Sequence, residues 1–335
     1  MILTVTLNTA LDITYRVRGL RPYASHRVTS VAERPGGKGL NVARVLAALG
    51  HEVTVTGFTG GATGRAVQDQ LTATPGVLDA LVPVSGSTRR TIAVIDETAG
   101  AARPTDATQL NEPGPQITPA EWSAFQVVYE GLLPSVSAVA LCGSLPPGAP
   151  VSAYADLVRT ARAAGVLLLL DTSGEPLRRG VAARPDLIKP NAGELAELTG
   201  SHDPLTATQD ARSLGARAVV ASLGPDGLLA VTPEGTWRAT PPTHVRGNPT
   251  GAGDSLVAGL LSGLIDQLPW PQRLTRAVAL SAATVLAPVA GEFDRPTYEK
   301  LLDQVKVTSE ATAAQRPSVT LVPPLSGRVT RRPSP

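Results

Sequence analysis

The segment of this sequence richest in chemistry is Gly247-Asn248-Pro249-Thr250-Gly251-Ala252-Gly253-Asp254-Ser255, which runs directly into the apolar stretch Leu256 to Ile265. Glycines entering a helix let backbone N–H groups converge, and the helix start adds a partial positive charge, so such a turn can hold a phosphate or a developing oxyanion. A carboxylate at Asp254, beside that anion site, has two uses. It can take a proton from an attacking hydroxyl, or it can help to hold a metal. The plainer alternative is that Asp254 only caps or charge-complements the helix, and the segment alone does not separate these roles.

A second glycine-rich turn, Pro35-Gly36-Gly37-Lys38-Gly39-Leu40-Asn41-Val42-Ala43, leads into a helix ending at Gly50 and again brings bare backbone to a helix start. It is not a Walker loop, because the GxxxxGK[ST] spacing is missing. A dinucleotide fingerprint fails too, since no G-x-G-x-x-G follows the first strand. Unless the turn is only a tight strand-to-helix connection, Lys38 and Asn41 offer donors to a polyhydroxylated or phosphorylated ligand. In Leu187-Ile188-Lys189-Pro190-Asn191-Ala192-Gly193-Glu194, Asn191 and Glu194 stand three residues apart on one face of a starting helix, at the end of a strand. An amide and a carboxylate there can orient hydrated Mg2+ near triphosphate oxygens. The same spacing is also a capping box, and the two roles are compatible. Ser222-Leu223-Gly224-Pro225-Asp226-Gly227 is either a simple turn or a backbone saddle for a nucleotide.

The elements that must position these turns follow a βαβ rhythm. Short β-branched runs alternate with stretches of helical period, about 30 residues per repetition, which predicts an α/β fold with a mostly parallel, helix-covered sheet. Strands are expected at Ile2 to Leu7, Glu52 to Gly57, Val136 to Leu141, Val166 to Asp171, Asp186 to Ile188 and Ala218 to Ser222. Most lack polar alternation, as strands buried on both faces require. Thr118-Pro119-Ala120-Glu121 reads as a capping box with proline at the first helical position, and Gly165 as a left-handed helix end. Two segments break the rhythm. Asp12 to Val31 and Ser87 to Leu110 alternate as strands that either form a small sheet beside the main one, as a lid or dimer surface, or run along the edge of the core.

At 335 residues the chain has room for one large α/β domain or two ordinary ones. Hydrophobic residues at 42% and charged ones at 17% are a globular balance, while aromatics at 3% leave Ala, Val and Leu to fill the interior. A formal charge of +2 over 30 basic and 28 acidic residues forces neither a nucleic-acid nor a membrane partner, so a small-molecule ligand is expected. A single cysteine, Cys142, excludes an internal disulfide. With no signal-peptide pattern at Met1 to Leu7 and no apolar run of membrane length, a cytoplasmic protein is expected. From about Ser309 to Pro335, Ala, Ser, Thr and Pro mix with Arg316, Arg328, Arg331 and Arg332, which reads as a flexible tail after a domain of residues 1–308.

Taken together and in this order, these segments resemble the PfkB carbohydrate kinase family, of ribokinase-like fold, and most closely its hexose-phosphate branch. Gly36-Gly37-Lys38-Gly39-Leu40-Asn41-Val42-Ala43 matches the first family signature and Asn248-Pro249-Thr250-Gly251-Ala252-Gly253-Asp254 the second; the similarity runs from Ile2 to about Val307. The resemblance implies a three-layer αβα sandwich with a small β-sheet lid contributed by about residues 12–34 and 87–112. It implies Asp254 as proton acceptor and Gly251, Ala252 and Gly253 as the anion hole. Asn191 and Glu194 correspond to the family's N-x-x-E motif for metal and phosphate, the metal being held through water, and Lys189 with the Ser222, Gly224 and Gly227 turn would lie against ATP. On the sugar side the resemblance points to Asp12 for hydroxyls, to Gly37, Lys38 and Asn41, and to Arg89 in Ser87-Thr88-Arg89. Lys38 and Arg89 suit a substrate phosphate, because a dianion entering a closed site needs compensating charge. Leu110-Asn111-Glu112-Pro113-Gly114-Pro115 and Cys142-Gly143-Ser144-Leu145-Pro146-Pro147-Gly148 look like 1-phosphofructokinases and tagatose-6-phosphate kinases, with Ser144 as a substrate contact. Asn248 stands where many family members carry an Asp that shapes a monovalent-cation site, so potassium activation is not implied.

The expected activity is therefore Mg·ATP-dependent phosphorylation of a ketohexose phosphate, fructose 1-phosphate to fructose 1,6-bisphosphate in the first instance, by in-line transfer with Asp254 as base. Tagatose 6-phosphate or fructose 6-phosphate, an unphosphorylated sugar or a nucleoside are alternative substrates. Outside the enzymes, a catalytically silent sugar-phosphate sensor is the alternative. The expected partners are a small-molecule phosphosugar and a second copy of the chain through the lid, with neither nucleic acid nor membrane. For this chemistry Asp254 and the Gly36 to Asn41 bend must face one cleft.

Overall fold

Runs of Val, Leu, Ala and Thr that are too short for helices and apolar on both sides can be satisfied only inside a helix-covered sheet. The structure, a computed structural model, describes residues 1–98, 107–242, 245, 247, 249–287 and 290–310. In chain order the strands are β1 (Ile2–Thr6), β2 (Ala10–Val17), β3 (Val28–Gly36), β4 (Val53–Thr59), β5 (Val77–Asp79), β6 (Val82–Pro83), β7 (Arg89–Asp96), β8 (Ala107–Asn111), β9 (Ala138–Cys142), β10 (Leu167–Asp171), β11 (Leu187–Ile188), β12 (Ala218–Ser222), β13 (Leu228–Thr232), β14 (Gly235–Thr240) and β15 (Lys306–Glu310). The helices are α1 (Lys38–Ala48), α2 (Gly61–Thr72), α3 (Pro119–Leu132), α4 (Ala153–Ala163), α5 (Gly174–Ala182), α6 (Ala192–Thr199), α7 (Pro204–Ser213), α8 (Ala252–Ile265), α9 (Trp270–Val285) and α10 (Arg295–Leu302). The strands expected from the sequence are β1, β4, β9, β10, β11 and β12, none displaced by more than two residues. Thr118 and Glu121 form the expected capping box on α3, and Gly165, at φ 71°, ends α4.

The central 11-stranded sheet is parallel in the order β5-β4-β1-β9-β10-β11-β12, then antiparallel through β13, β14 and β15, with β6 added on β4. Side chains alternate between its faces. Ile2, Val53, Ala138 and Leu169 join the core under α1, α2, α8, α9 and α10, while Leu3, Val5, Val139 and Leu170 join the one under α3 to α7. The result is a three-layer αβα sandwich. Four of its scarce aromatic residues meet at Phe125, whose ring centroid lies 5.1 Å from Phe58, 5.6 Å from Trp122 and 6.2 Å from Tyr129.

The two segments that break the rhythm form a separate four-stranded sheet, β3-β2-β7-β8, rather than edge strands of the core. Ser309 and Glu310, which the sequence places in the tail, are the last residues of β15 and pair with Trp237 and Thr236. The open edge of β14 accounts for this, since a polar segment gains a ladder there without burying much surface. Residues 99–106, Asn248 and the chain beyond Glu310 lie outside the described residues. No described helix is long and apolar enough to cross a membrane.

Sequence neighbours run outward on both sides of β1, toward β4 on one side and β9 on the other. Loops leaving β1 and β9 in opposite directions open a crevice at the carboxyl ends of the strands.

Candidate active site

α8 starts abruptly because Gly251 adopts a left-handed conformation (φ 83°), and a side chain there would meet the Ala290 backbone at 2.9 Å. Gly251, as the residue at this helix start, has no side chain with which to cap it. Asp254, in the first turn, does not fold back as a cap. Its Oδ2 instead accepts a hydrogen bond from Asn41 Nδ2 at 2.7 Å, across to α1. Only 7% of Asp254 is exposed. Burial pushes its pKa up to about 6; the Asn41 hydrogen bond opposes this, Asp171 adds to it, and Lys38 and Lys189 oppose it.

The turn into α1 sits against the small sheet. Gly36 pairs with Ala10 of β2, and a Cβ at position 36 would overlap the Asp12 carboxylate. Gly37 then opens α1, placing Lys38 and Asn41 one turn apart. The Lys38 ammonium lies 3.4 Å from both oxygens of Asp171, and the Lys189 ammonium lies 3.3 Å from Asp171 Oδ1. Asp171 is 1% exposed and Lys189 5%, so these two form a buried ion pair, to which Lys38, with 39% of its side chain exposed, adds from the cavity side. Burial alone would favour neutral Lys38, but Asp171, Asp254 and Glu194 together hold its pKa above the usual lysine value.

On the small sheet, Thr91 of β7 donates to the Asp12 carboxylate. Burial raises the Asp12 pKa against the Thr91 hydrogen bond and the charges of Arg44 and Arg89. Arg89 is tethered at both ends, with Nε donating to the Asn8 carbonyl at 3.1 Å and Nη1 to the Glu112 carbonyl at 3.2 Å. Asn8 Nδ2 in turn donates to the Pro113 carbonyl at 3.0 Å and to Ser144 Oγ at 3.2 Å. Asp12, Lys38, Asn41, Arg89, Ser144 and Glu194 all line one cavity of about 620 Å³, and Gly37 contributes to its wall. Asp254 is not part of the cavity wall, but Asn41, which is, joins it directly to the Gly36 to Asn41 bend.

The remaining sequence candidates on the nucleotide side form a structure of their own around the start of α6. Asn191 and Glu194 form a reciprocal capping box, with the Glu194 N–H donating to Asn191 Oδ1 at 2.9 Å and the Asn191 N–H to Glu194 Oε2 at 2.8 Å. Ser222 is bridged to Asn191, and its N–H donates to the Pro190 carbonyl at 2.9 Å. Gly224 and Gly227 follow on the short turn beyond it. Ser222, Gly224, Gly227, Lys189, Asn191 and the Gly251 to Asp254 turn are not among the residues that line the cavity, whereas Glu194 is. Among the described residues no group of three or more His, Cys, Asp or Glu side chains makes a metal cage. The Asn191 and Glu194 pair fits a Mg2+ that keeps most of its water and takes other ligands from phosphate oxygens.

The sequence did not single out Asp171, Asn8, Thr91 or Arg44. Asp171 carried one signal, a charged residue closing an apolar strand at its carboxyl end. Arg44 carried another, lying three residues after Asn41 and so on the same helix face.

The sequence profile described as pfkB family carbohydrate kinase matches residues 5–297. A tagatose-6-phosphate kinase of Staphylococcus epidermidis is 32% identical over 319 residues, 92% of this chain and 99% of that protein. The crystal structure of phosphofructokinase-2 from Escherichia coli in complex with fructose-6-phosphate is similar with a TM-score of 0.81 at 29% identity, covering 90% of this chain and 98% of that one. A possible 1-phosphofructokinase from Thermotoga maritima is similar with a TM-score of 0.82 at 26% identity, covering 92% and 99%.

The raised pKa of Asp254 has a consequence for stability. With the folded-state value above the unfolded one, the folded protein is penalised progressively as pH rises from 3.8 through about 6, and the penalty is complete above that. Asp254→Asn retains an acceptor for Asn41 and removes the buried charge. Its unfolding free energy is expected to exceed that of the parent by on the order of 2 kcal/mol at about pH 8, with the two converging at about pH 3. Thermal unfolding across pH measures this, and a variant less stable than the parent at alkaline pH would contradict it.

Proposed function

The chain belongs to the pfkB family of carbohydrate kinases, and on that premise we propose that it phosphorylates a ketohexose monophosphate with ATP as donor, Asp254 taking the proton of the attacking hydroxyl. The observation that carries the proposal is the hydrogen bond of 2.7 Å that joins Asp254 to Asn41, which lines a single cavity together with Asp12, Lys38 and Arg89. A buried carboxylate with a pKa of about 6 is mostly ionised at neutral pH, yet basic enough to accept a proton as the oxygen attacks.

Mg·ATP, when bound, supplies the phosphoryl group and neutralises charge on its oxygens. The Gly251, Ala252 and Gly253 turn aims amides and the positive end of α8 at the transfer point. Lys38 and Lys189, fixed by Asp171, add positive charge beside it. Lys38, which lines the same cavity as Arg89, is with it a partner of the phosphate that the substrate already carries. Asp12 and Ser144 orient the substrate's hydroxyls, and the small sheet excludes water as a lid. Asn191 and Glu194 would hold the hydrated metal, and Ser222, Gly224 and Gly227 would lie along the nucleotide.

Fructose 1-phosphate is the substrate placed first, on the Leu110 to Pro115 and Cys142 to Gly148 segments. Tagatose 6-phosphate is a second reading, favoured by the relative that bears that name. A homodimer through the small sheet is supported by its edge strands β3 and β8, which expose Val28 (42%), Val31 (57%) and Leu110 (56%).

Asp254→Ala is expected to lower kcat by about 10²–10⁴-fold while the protein remains folded. Arg89→Ala should act on KM for the phosphosugar, raising it about 10–100-fold as the loss of charge-assisted hydrogen bonds implies. ADP release assayed with fructose 1-phosphate, fructose 6-phosphate, tagatose 6-phosphate and free fructose tests the substrate class. Comparable kcat/KM on free fructose would remove the phosphate site, and no ATP consumption with any of these sugars would leave a silent sensor.

A further inference from the structure

Asn41 is held at both ends of its amide. Arg44 Nη2 donates to Asn41 Oδ1 at 2.5 Å, and Asn41 Nδ2 donates to Asp254 Oδ2 at 2.7 Å. A guanidinium carries only donors, so it accepts only the carbonyl end of the amide as its partner, and the NH₂ end is thereby turned toward Asp254. The two ends of an asparagine amide are nearly identical in shape, and without Arg44 nothing sterically prevents the opposite orientation. Arg44 is itself anchored. It donates to the Pro35 carbonyl, just before the Gly36-Gly37 turn, and to the Ala290 carbonyl at 3.2 Å, beside Gly251.

We propose that Arg44 is a positioning residue for phosphoryl transfer: acting through Asn41, it fixes the Asp254 carboxylate toward the hydroxyl to be deprotonated and keeps it ionised. The inference rests on Asp254 being the base. The charged groups that act on Asp254 are Asp171 at the end of β10, Lys38 on α1, Lys189 beyond β11, and Arg44 itself. Among the influences that favour its anion, the Asn41 hydrogen bond comes first, ahead of Lys38 and Lys189. A reversed amide would set the Asn41 carbonyl against the carboxylate, replacing that bond with a repulsion.

Two other roles are open to Arg44, and they predict different results. It lines the substrate cavity, and its Nε is buried without a hydrogen-bond partner in the described structure, so it could instead bind a substrate anion. Its bonds to Pro35 and Ala290 could instead make it a clamp without influence on the base.

The test is the pH profile of kcat, with KM for the phosphosugar, in Arg44→Met, Arg44→Lys, Asn41→Ala and the Arg44→Met/Asn41→Ala pair. Losing the relay should move the acid limb of kcat up by about one-half to one pH unit in Arg44→Met and in Asn41→Ala. Their kcat near neutrality should fall about 10-fold, with KM changing less than about 3-fold. Arg44→Lys keeps a donor for Asn41 and should recover most of the loss. In the paired variant the limb should lie where Asn41→Ala alone puts it, because the arginine acts through the asparagine. An unmoved limb with a raised KM overturns the proposal in favour of an anion contact, and additive limb shifts overturn it in favour of separate roles. If Arg44→Met does not fold, an unmoved limb in Asn41→Ala rejects the relay by itself. Turnover surviving in Asp254→Ala would instead refute the base, a failure distinct from that of the relay.

Discussion

Two carboxylates buried within one small volume, Asp171 and Asp254, set the terms for the rest of the site. Carboxylates in a poorly solvated interior stay ionised only where donors or cations compensate them. Here the compensation is unequal. Asp171 stands between two ammonium groups, whereas Asp254 receives one amide N–H. The first carboxylate serves as a fixed counter-ion that keeps Lys38 and Lys189 in place. The second retains an affinity for a proton near neutrality. An apolar replacement of such a cluster would often be at least as stable, so its presence speaks for chemistry more than for holding the fold together.

The fold makes this inequality possible because it brings the ends of separate elements to one edge. Asp171 closes β10, Lys189 follows β11, Lys38 opens α1 and Asp254 lies in the first turn of α8. Parallel strands all finish at the same edge of the sheet, where β10 and β11 leave Asp171 and Lys189; α8 follows β14 of that sheet, and β3 of the small sheet leads into α1. α1 and α8 pack into the same core layer, so their first turns face each other, and a short asparagine suffices to join them. Both helix starts also direct positive dipole ends into the crevice, the electrostatic setting an anionic ligand requires.

What the sequence made legible was local. The glycine turns, the capping boxes and the continuous apolar strands are each specified within a few neighbouring residues, and each appears where it was expected. The two roles open to Asp254, cap or buried functional carboxylate, could not be separated locally, because the deciding partner is Asn41, 213 positions away. Asp171 was hidden for a related reason. An acidic residue ending an apolar run marks the edge of a core in most strands, and only the arrival of Lys38 and Lys189 distinguishes this one. Whether the alternating segments formed a sheet of their own depended on the parallel pairing of β2 with β7, two strands far apart in sequence. The last two residues of β15 were misread because a polar edge strand and a polar tail have the same composition.

Gly37 couples the two halves of the site more directly than any side chain does. β3 of the small sheet ends at Gly36 and α1 of the main body starts at Lys38, so one residue separates the sheet carrying Asp12 and Arg89 from the helix carrying Lys38 and Asn41. The position of Asp12 relative to Asp254 is therefore set by very few backbone angles. Two further ties span the same joint: Arg44 holds the Pro35 carbonyl, and Arg34 of β3 pairs with Glu292 beyond α9. Because Gly36 leaves space that the Asp12 carboxylate occupies, a side chain there would displace that carboxylate rather than merely stiffen the turn. The glycines of the first turn thus fix where the Asp12 carboxylate sits relative to Asp254, a role independent of whether their amides touch a ligand.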